Sequence, residues 1–362
     1  MLAVSLVVVA LVPWAVSADA PAKPRAMVER NEVDADFAFQ GEFLGAFRVG
    51  RRGTVAFGLQ VVALGDGKFD AYVLRGGLPG WGWDGGSRVK LAGQRRDGQV
   101  ELSGEGVKAH LSPTAAHLAG IDGWNVTLSR MERTSPNLGL RPPPGAIVLF
   151  DGRDSGELNG VKISPDGLLE VGAITKRAVG DFRLHIEFRT PYMPDARGQG
   201  RGNSGVYIQQ RYEVQVLDSF GLPGEFNECG ALYRQVPPAL NMCLPPLAWQ
   251  SYDIEFRAAR FDAEGKVKVE PARITVNHNG VAVHDAHEIA SKTGAGQPEG
   301  PAPRPILFQN HSDPVRFRNV WLVELTSPSG AEVATAADSC GDQRSAHRGR
   351  LRGRIGRGSR HR

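Results

Sequence analysis

Three short stretches of this sequence carry acid, base and amide side chains at alternate positions: His185, Glu187 and Arg189; Glu213 and Gln215; and Gln309 and His311. In an extended strand residues two apart share a face, so each stretch offers a row of groups that can move protons or hold hydroxyls. Lys is nearly absent from these rows. Two readings are open: a carbohydrate or acid–base site on a concave sheet, or a solvated face with cross-strand ion pairs. The loops add candidates. Gly198 to Gly205 is too Gly-rich for a core element and has no G-x-x-x-x-G-K-[ST] pattern; its expected job is to bring backbone amides and Asn203 to a ligand. Asn227 to Tyr233 sets Glu228 beside a short strand, and Asp218 follows the Tyr212 to Val216 alternation. Ordinary glycoside hydrolysis needs two carboxylates flanking one bond. Glu213 and Asp218, five apart, point to opposite faces of an unbroken strand, whereas Glu187 and Glu213 can form such a pair if their strands are neighbours. No CxxC or His-rich spacing predicts a zinc site, and no cofactor is expected. The carboxylates are numerous enough for a divalent cation, but no ligand spacing defines one. Trp81 and Trp83, in Gly80-Trp81-Gly82-Trp83-Asp84-Gly85, can stack on sugar rings or pack in a small β core.

The elements that must position these groups read as strands. Phe182, Leu184, Ile186 and Phe188 alternate with the His185 row; Tyr212, Val214 and Val216 alternate with Glu213 and Gln215; Tyr252, Ile254 and Phe256 alternate with Asp253, Glu255 and Arg257. Period two with one apolar face means half-buried strands, which need a second sheet to cover them, so a sandwich is expected over 146–325. Asn279-Gly280 between two apolar runs predicts a hairpin. Residues 32–133 read as a small β-rich domain with strands at 54–64, 69–74, 88–91, 99–102 and 124–131. The Pro-rich run at 134–145 reads as a stiff linker, and residues 19 to about 31 as a disordered polar leader.

The order of motifs along 146–325 carries a resemblance. Phe150-Asp151-Gly152, Glu187-Phe188-Arg189, Gly202-Asn203-Ser204-Gly205-Val206-Tyr207, Tyr212-Glu213-Val214-Gln215-Val216-Leu217-Asp218, Cys229-Gly230-Ala231-Leu232-Tyr233, Asn279-Gly280, Gln309-Asn310-His311 and Phe317-Arg318-Asn319-Val320 together resemble the 3-keto-disaccharide hydrolase domain. Residues 32–133, with Gln40-Gly41-Glu42-Phe43 and Gly76-Gly77-Leu78-Pro79-Gly80, resemble a unit fused to that domain in exported planctomycete-type proteins. The resemblance implies an all-β, concanavalin A-like jelly-roll sandwich preceded by the small β-rich domain, and an oligosaccharide or glycoside substrate. A ketone at C3 of a glucoside acidifies the C2 proton and leaves the glycosidic oxygen β to the carbonyl, so elimination and hydration give net hydrolysis. That chemistry needs a base, a donor to the enolate and an acid for the leaving oxygen. The expected roles are Glu213 or His311 as base, Arg189 and Gln215 at the enolate, Asn203 at substrate hydroxyls, and Glu228 or Asp218 as acid. His185, Glu187 and Gln309 complete the expected substrate-binding set. The rival is a non-catalytic glycan-binding module of the cell envelope.

Composition bounds the rest. Of 362 residues, 45 are Gly and 24 Pro, and no stretch sustains a helical period, consistent with many short strands and tight turns. The net charge of +4 comes from the end: residues 343–362 hold eight Arg and no acid, and without them 35 basic residues face 39 acidic ones. The 328–362 segment reads as a disordered basic tail rather than a nucleic-acid site. Met1 to Ala18 is apolar and ends in Val16-Ser17-Ala18, which predicts a signal peptide and an exported protein, periplasmic or extracellular; no later run is long and apolar enough to span a bilayer. Cys229 and Cys243 can pair in an oxidising compartment or remain buried thiols.

Overall fold

The computed structural model describes residues 24–48, 53–121, 123–153 and 155–326. The expected signal at 1–18, the basic tail at 328–362 and Cys340 lie outside them. From Gly41, eight main strands follow one another up and down: Gly41–Arg48, Thr54–Ala63, Lys68–Arg75, Arg88–Arg96, Gln99–Gly104, Val107–Leu111, Ala115–Gly120 and Asn125–Met131. The first pairs with both the second and the last, closing a barrel. Alternation decides its inside: Val107, Ala109 and Leu111 are buried while Lys108 and His110 are exposed. Eight strands enclose a space that side chains just fill, here with Phe43, Leu59, Val61, Phe69, Leu91 and Leu118.

After the linker the chain builds a sandwich of two sheets. The seven-stranded sheet runs Ile147–Phe150, Arg316–Glu324, Phe182–Arg189, Gln250–Arg257, Ala272–His278 and Val281–Ile289, with Leu169–Glu170 also beside Arg316–Glu324. The five-stranded sheet runs Leu158–Asn159, Ile174–Thr175, Leu307–Phe308, Ser204–Ile208 and Tyr212–Val216. Phe182, Leu184, Ile186 and Phe188 from one sheet, and Val206, Ile208, Tyr212, Val214 and Val216 from the other, share one core. The predicted hairpin forms at Asn279-Gly280, with φ of 50° and 78°, the left-handed pair that a two-residue turn between twisted strands requires.

This topology overturns one expectation. The Phe182–Arg189 strand has Arg316–Glu324 and Gln250–Arg257 as neighbours, whereas Tyr212–Val216 pairs with Ser204–Ile208. Both strands turn their apolar residues inward, so Glu187 and Glu213 leave opposite sides of the sandwich and cannot flank one bond.

Barrel and sandwich pack on each other. Val62 of the barrel enters the sandwich core, and Tyr192 and Leu247 of the sandwich enter the barrel core. Residues 24–31, expected as disordered leader, are part of this packing: Met27 is buried and exchanges two backbone hydrogen bonds with Tyr192.

Candidate active site

Glu213 is the centre of a polar cluster on the outer face of the five-stranded sheet. Tyr212 and Val214 point into the core, which turns Glu213 outward. Tyr207 stands opposite it across the strand pair and donates its hydroxyl to Glu213 Oε2 at 2.7 Å. Gln215, with its amide nitrogen turned inward, donates to Glu213 Oε1 at 3.2 Å and to Ser204 O at 2.8 Å. Gly205 lies beneath: a Cβ there would stand 2.5 Å from Glu213 Oε1 and 3.2 Å from Gln309 Oε1, so only glycine leaves room for the carboxylate and the amide. Gln309 is held by its backbone, N to Gly205 O at 2.8 Å, while its Oε1 is buried without a partner. Asn203 closes one end, its backbone N donating to Asp313 Oδ2 at 2.9 Å and its side chain to Gln199 O at 2.8 Å. The other end is covered by residues 293–296. Thr293 Oγ1 accepts from Glu213 N at 2.8 Å, the Ala295 backbone reaches the Tyr207 hydroxyl, and Gly294 lies beside Tyr233.

Glu213 is 2% exposed. Burial pushes its carboxyl up to about 7 against the opposing Tyr207 hydrogen bond, and the buried Tyr207 phenol is in turn pushed up, by burial first and then by Glu213. Among the described residues no cation is bonded to Glu213. A carboxyl poised near neutrality can take and return a proton at physiological pH. The cluster reaches the surface through half-buried Gln309 and exposed Asn310 and His311. Among the described residues none is hydrogen-bonded or ion-paired to the exposed His311 side chain, and His311 belongs to the same loop as Asp313, which fixes Asn203.

The remaining predicted site residues lie elsewhere. His185 and Glu187 face the outer side of the seven-stranded sheet beneath the linker. His185 Nδ1 meets Asp253 Oδ1 at 2.7 Å and its ring stacks on Trp321. Glu187 accepts from Arg318 Nε (2.7 Å), Asn319 Nδ2 (2.8 Å) and Gly139 N (2.6 Å). Burial alone would raise Glu187, but His185 and these donors hold it at about 2; they make it a clasp for the linker. Arg189 is on that same far face, paired with Glu29 at 2.5 Å and 5.1 Å from the Trp249 ring, and cannot reach an enolate at Glu213. Asp218 is the buried partner of Arg201 at 2.7 Å. Glu228 caps its own turn, accepting from Gly224 N and Glu225 N. Neither carboxylate is free to act as the acid. Cys229 and Cys243 are buried free thiols. Among the described residues no group of three His, Cys, Asp or Glu gathers as for a metal ion. Trp83 packs in a small core with Leu74 and Leu78, whereas Trp81 is exposed.

Sequence reasoning missed Tyr207, Thr293 and Tyr233. Tyr207 had a signal: in Asn203-Ser204-Gly205-Val206-Tyr207 the odd positions share the face of Asn203. Tyr233 closes the Cys229-Gly230-Ala231-Leu232-Tyr233 motif, which pointed to its loop; Thr293 arrives from a distant loop and had no signal.

The outer face of the five-stranded sheet thus carries a buried carboxyl, raised to about 7, among amides and a phenol. Residues 145–323 match the 3-keto-alpha-glucoside-1,2-lyase-like domain, and the chain belongs to that family, which makes it a carbohydrate-active protein. Among solved structures, one described as a "putative glycosyl hydrolase" from Parabacteroides distasonis is 33% identical, over 51% of this chain and 85% of that one, with a TM-score of 0.46. A second of the same description and organism is 17% identical over 50% and 94%, with a TM-score of 0.38. No curated protein matches the chain.

Proposed function

We propose that this protein cleaves 3-keto-glycosides by elimination followed by hydration, with Glu213 as the base. The observation that carries the proposal is the Glu213 carboxyl, buried, raised to about 7 and bonded only to neutral donors, Tyr207 and Gln215. In the proposed reaction Glu213 removes the C2 proton of the keto sugar. The C2–H electrons pass into a C2=C3 enolate with the charge on the C3 oxygen; as the C3 carbonyl re-forms, they make the C1=C2 bond, the C1–O bond breaks, and the leaving oxygen takes a proton. Water then adds its oxygen to C1 and a proton returns to C2, so the sum is hydrolysis. The Gln309 amide, uncommitted within the protein, turns its nitrogen to the enolate oxygen, a role first expected of Arg189. Asn203 orients hydroxyls, and His311, exposed and unpartnered, protonates the leaving oxygen. The apolar run at 1–18 supports action outside the cytoplasm.

The test is incubation of the purified protein with 3-keto-trehalose and with trehalose, read by product mass spectrometry. Cleavage of the keto sugar alone, lost in Glu213→Gln, is the expected result. Equal cleavage of both sugars, or full turnover by Glu213→Gln, overturns the proposal.

A further inference from the structure

The two motifs of the barrel, Gln40-Gly41-Glu42-Phe43 and Gly76-Gly77-Leu78-Pro79-Gly80, take no part in the Glu213 site, yet one side chain joins them. Arg133 donates to both carboxylate oxygens of Glu42 at 2.6 Å and to Pro79 O at 2.6 Å. Its side chain is 4% exposed and that of Glu42 1%. Its guanidinium also lies 5.7 Å from the ring of Trp81, which is 52% exposed. The turn that carries Trp81 is built on glycine. Leu78 and Trp81 exchange two backbone hydrogen bonds. A Cβ on Gly77, at φ 141°, would stand 2.0 Å from Trp81 O, and one on Gly80 would stand 2.8 Å from Met242 of the sandwich. The backbone that presents this half-exposed ring is thus fixed, so the turn loses little freedom on meeting a ligand.

Arg133 and Glu42 also line a groove of about 430 Å³ between barrel, linker and sandwich, together with Trp249 and Arg189; Trp81 lies outside this lining and meets it through Arg133. That volume falls in the range of about 300–1,000 Å³ usual for small-molecule sites. Three of its four Arg are paired with carboxylates: Arg133 with Glu42, Arg189 with Glu29 and, more loosely at 3.9 Å, Arg30 with Glu132. Arg130 keeps its charge while bonded to the Ala38 and Gln40 carbonyls. The groove therefore offers an anion one uncompensated positive charge, while its paired polar heads can meet hydroxyls.

We infer that Trp81 and this groove form a second carbohydrate-binding site, for a neutral oligosaccharide chain that stacks a pyranose ring on Trp81 and extends past Arg133 towards Trp249. The inference rests on the family's carbohydrate character and not on the chemistry assigned to Glu213. The test is affinity electrophoresis of the full chain through gels containing dextran, laminarin, xylan or polygalacturonate. Retardation by at least one neutral polysaccharide is expected. Trp81→Ala and Arg189→Gln should each weaken it by about tenfold or more, with 3-keto-trehalose turnover unchanged in Trp81→Ala and retardation unchanged in Glu213→Gln. No retardation by a neutral polysaccharide, retardation by polygalacturonate alone, or retardation undiminished in both groove variants overturns it.

Discussion

Replacing Glu213 with Gln keeps the side chain's shape and removes its charge, and the structure sets what that is worth. The new amide can accept from Gln215 through its oxygen and donate to the Tyr207 oxygen through its nitrogen, so both existing contacts have replacements. In the native protein the carboxyl is raised from 4.5 to about 7, chiefly by burial. Between those two pH values the folded protein holds a proton that the unfolded chain releases. Stability therefore falls as pH rises through that window, and above 7 the full cost of burying the charge, about 3 kcal/mol, is present. Gln does not titrate. The variant should match wild type below pH 4.5 and exceed it by about 3 kcal/mol at pH 8, while losing turnover. Guanidinium denaturation of both proteins at pH 4.5, 6, 7 and 8 reads the difference. Equal stability at pH 8, or a variant weaker than wild type there, refutes the account of Glu213 as a buried carboxyl held against its own charge.

Wild-type kcat/KM should rise with pH through about 7 as Glu213 ionises. Tyr207→Phe removes the donor that opposes burial, so that rise should move to higher pH and activity at pH 7 should fall about tenfold or more; an unmoved profile would show that Tyr207 does not act on Glu213. Gly205→Ala forces a Cβ against the Glu213 and Gln309 side chains and should lower kcat about a hundredfold for a stability cost of about 1–3 kcal/mol, measured by steady-state kinetics beside thermal melting. Glu187→Gln should cost about 3 kcal/mol at pH 7, because a carboxyl held at about 2 rather than 4.5 contributes stability above pH 4.5 that is lost as pH falls through 2. Its effect should shrink on acidification in denaturation curves, with catalysis by the folded protein retained.

The strands with clean alternation were legible because their period follows from burying one face. Phe182–Arg189, Tyr212–Val216 and Gln250–Arg257 appear where the pattern placed them. Three barrel strands were not: Gly41–Arg48 and Ala115–Gly120 are rich in Gly and Ala, which have weak strand preference, and Val107–Leu111, though it alternates cleanly, puts the small Ala109 at the centre of its apolar face. Their extended state is imposed by closure of the barrel.

The candidate site divides in the same way. Local alternation determined that His185, Glu187 and Arg189, and equally Glu213 and Gln215, leave their strands on the polar side, and it marked both rows alike. Which sheet each strand joins is a matter of non-local pairing, and only the tertiary structure decided it, placing Arg189 and Glu213 on opposite faces of one core. Tertiary packing likewise set the proton affinity of Glu213, since that follows from how completely Tyr207, Gln215 and the distant 293–296 loop exclude water from a carboxyl whose type the sequence alone determined.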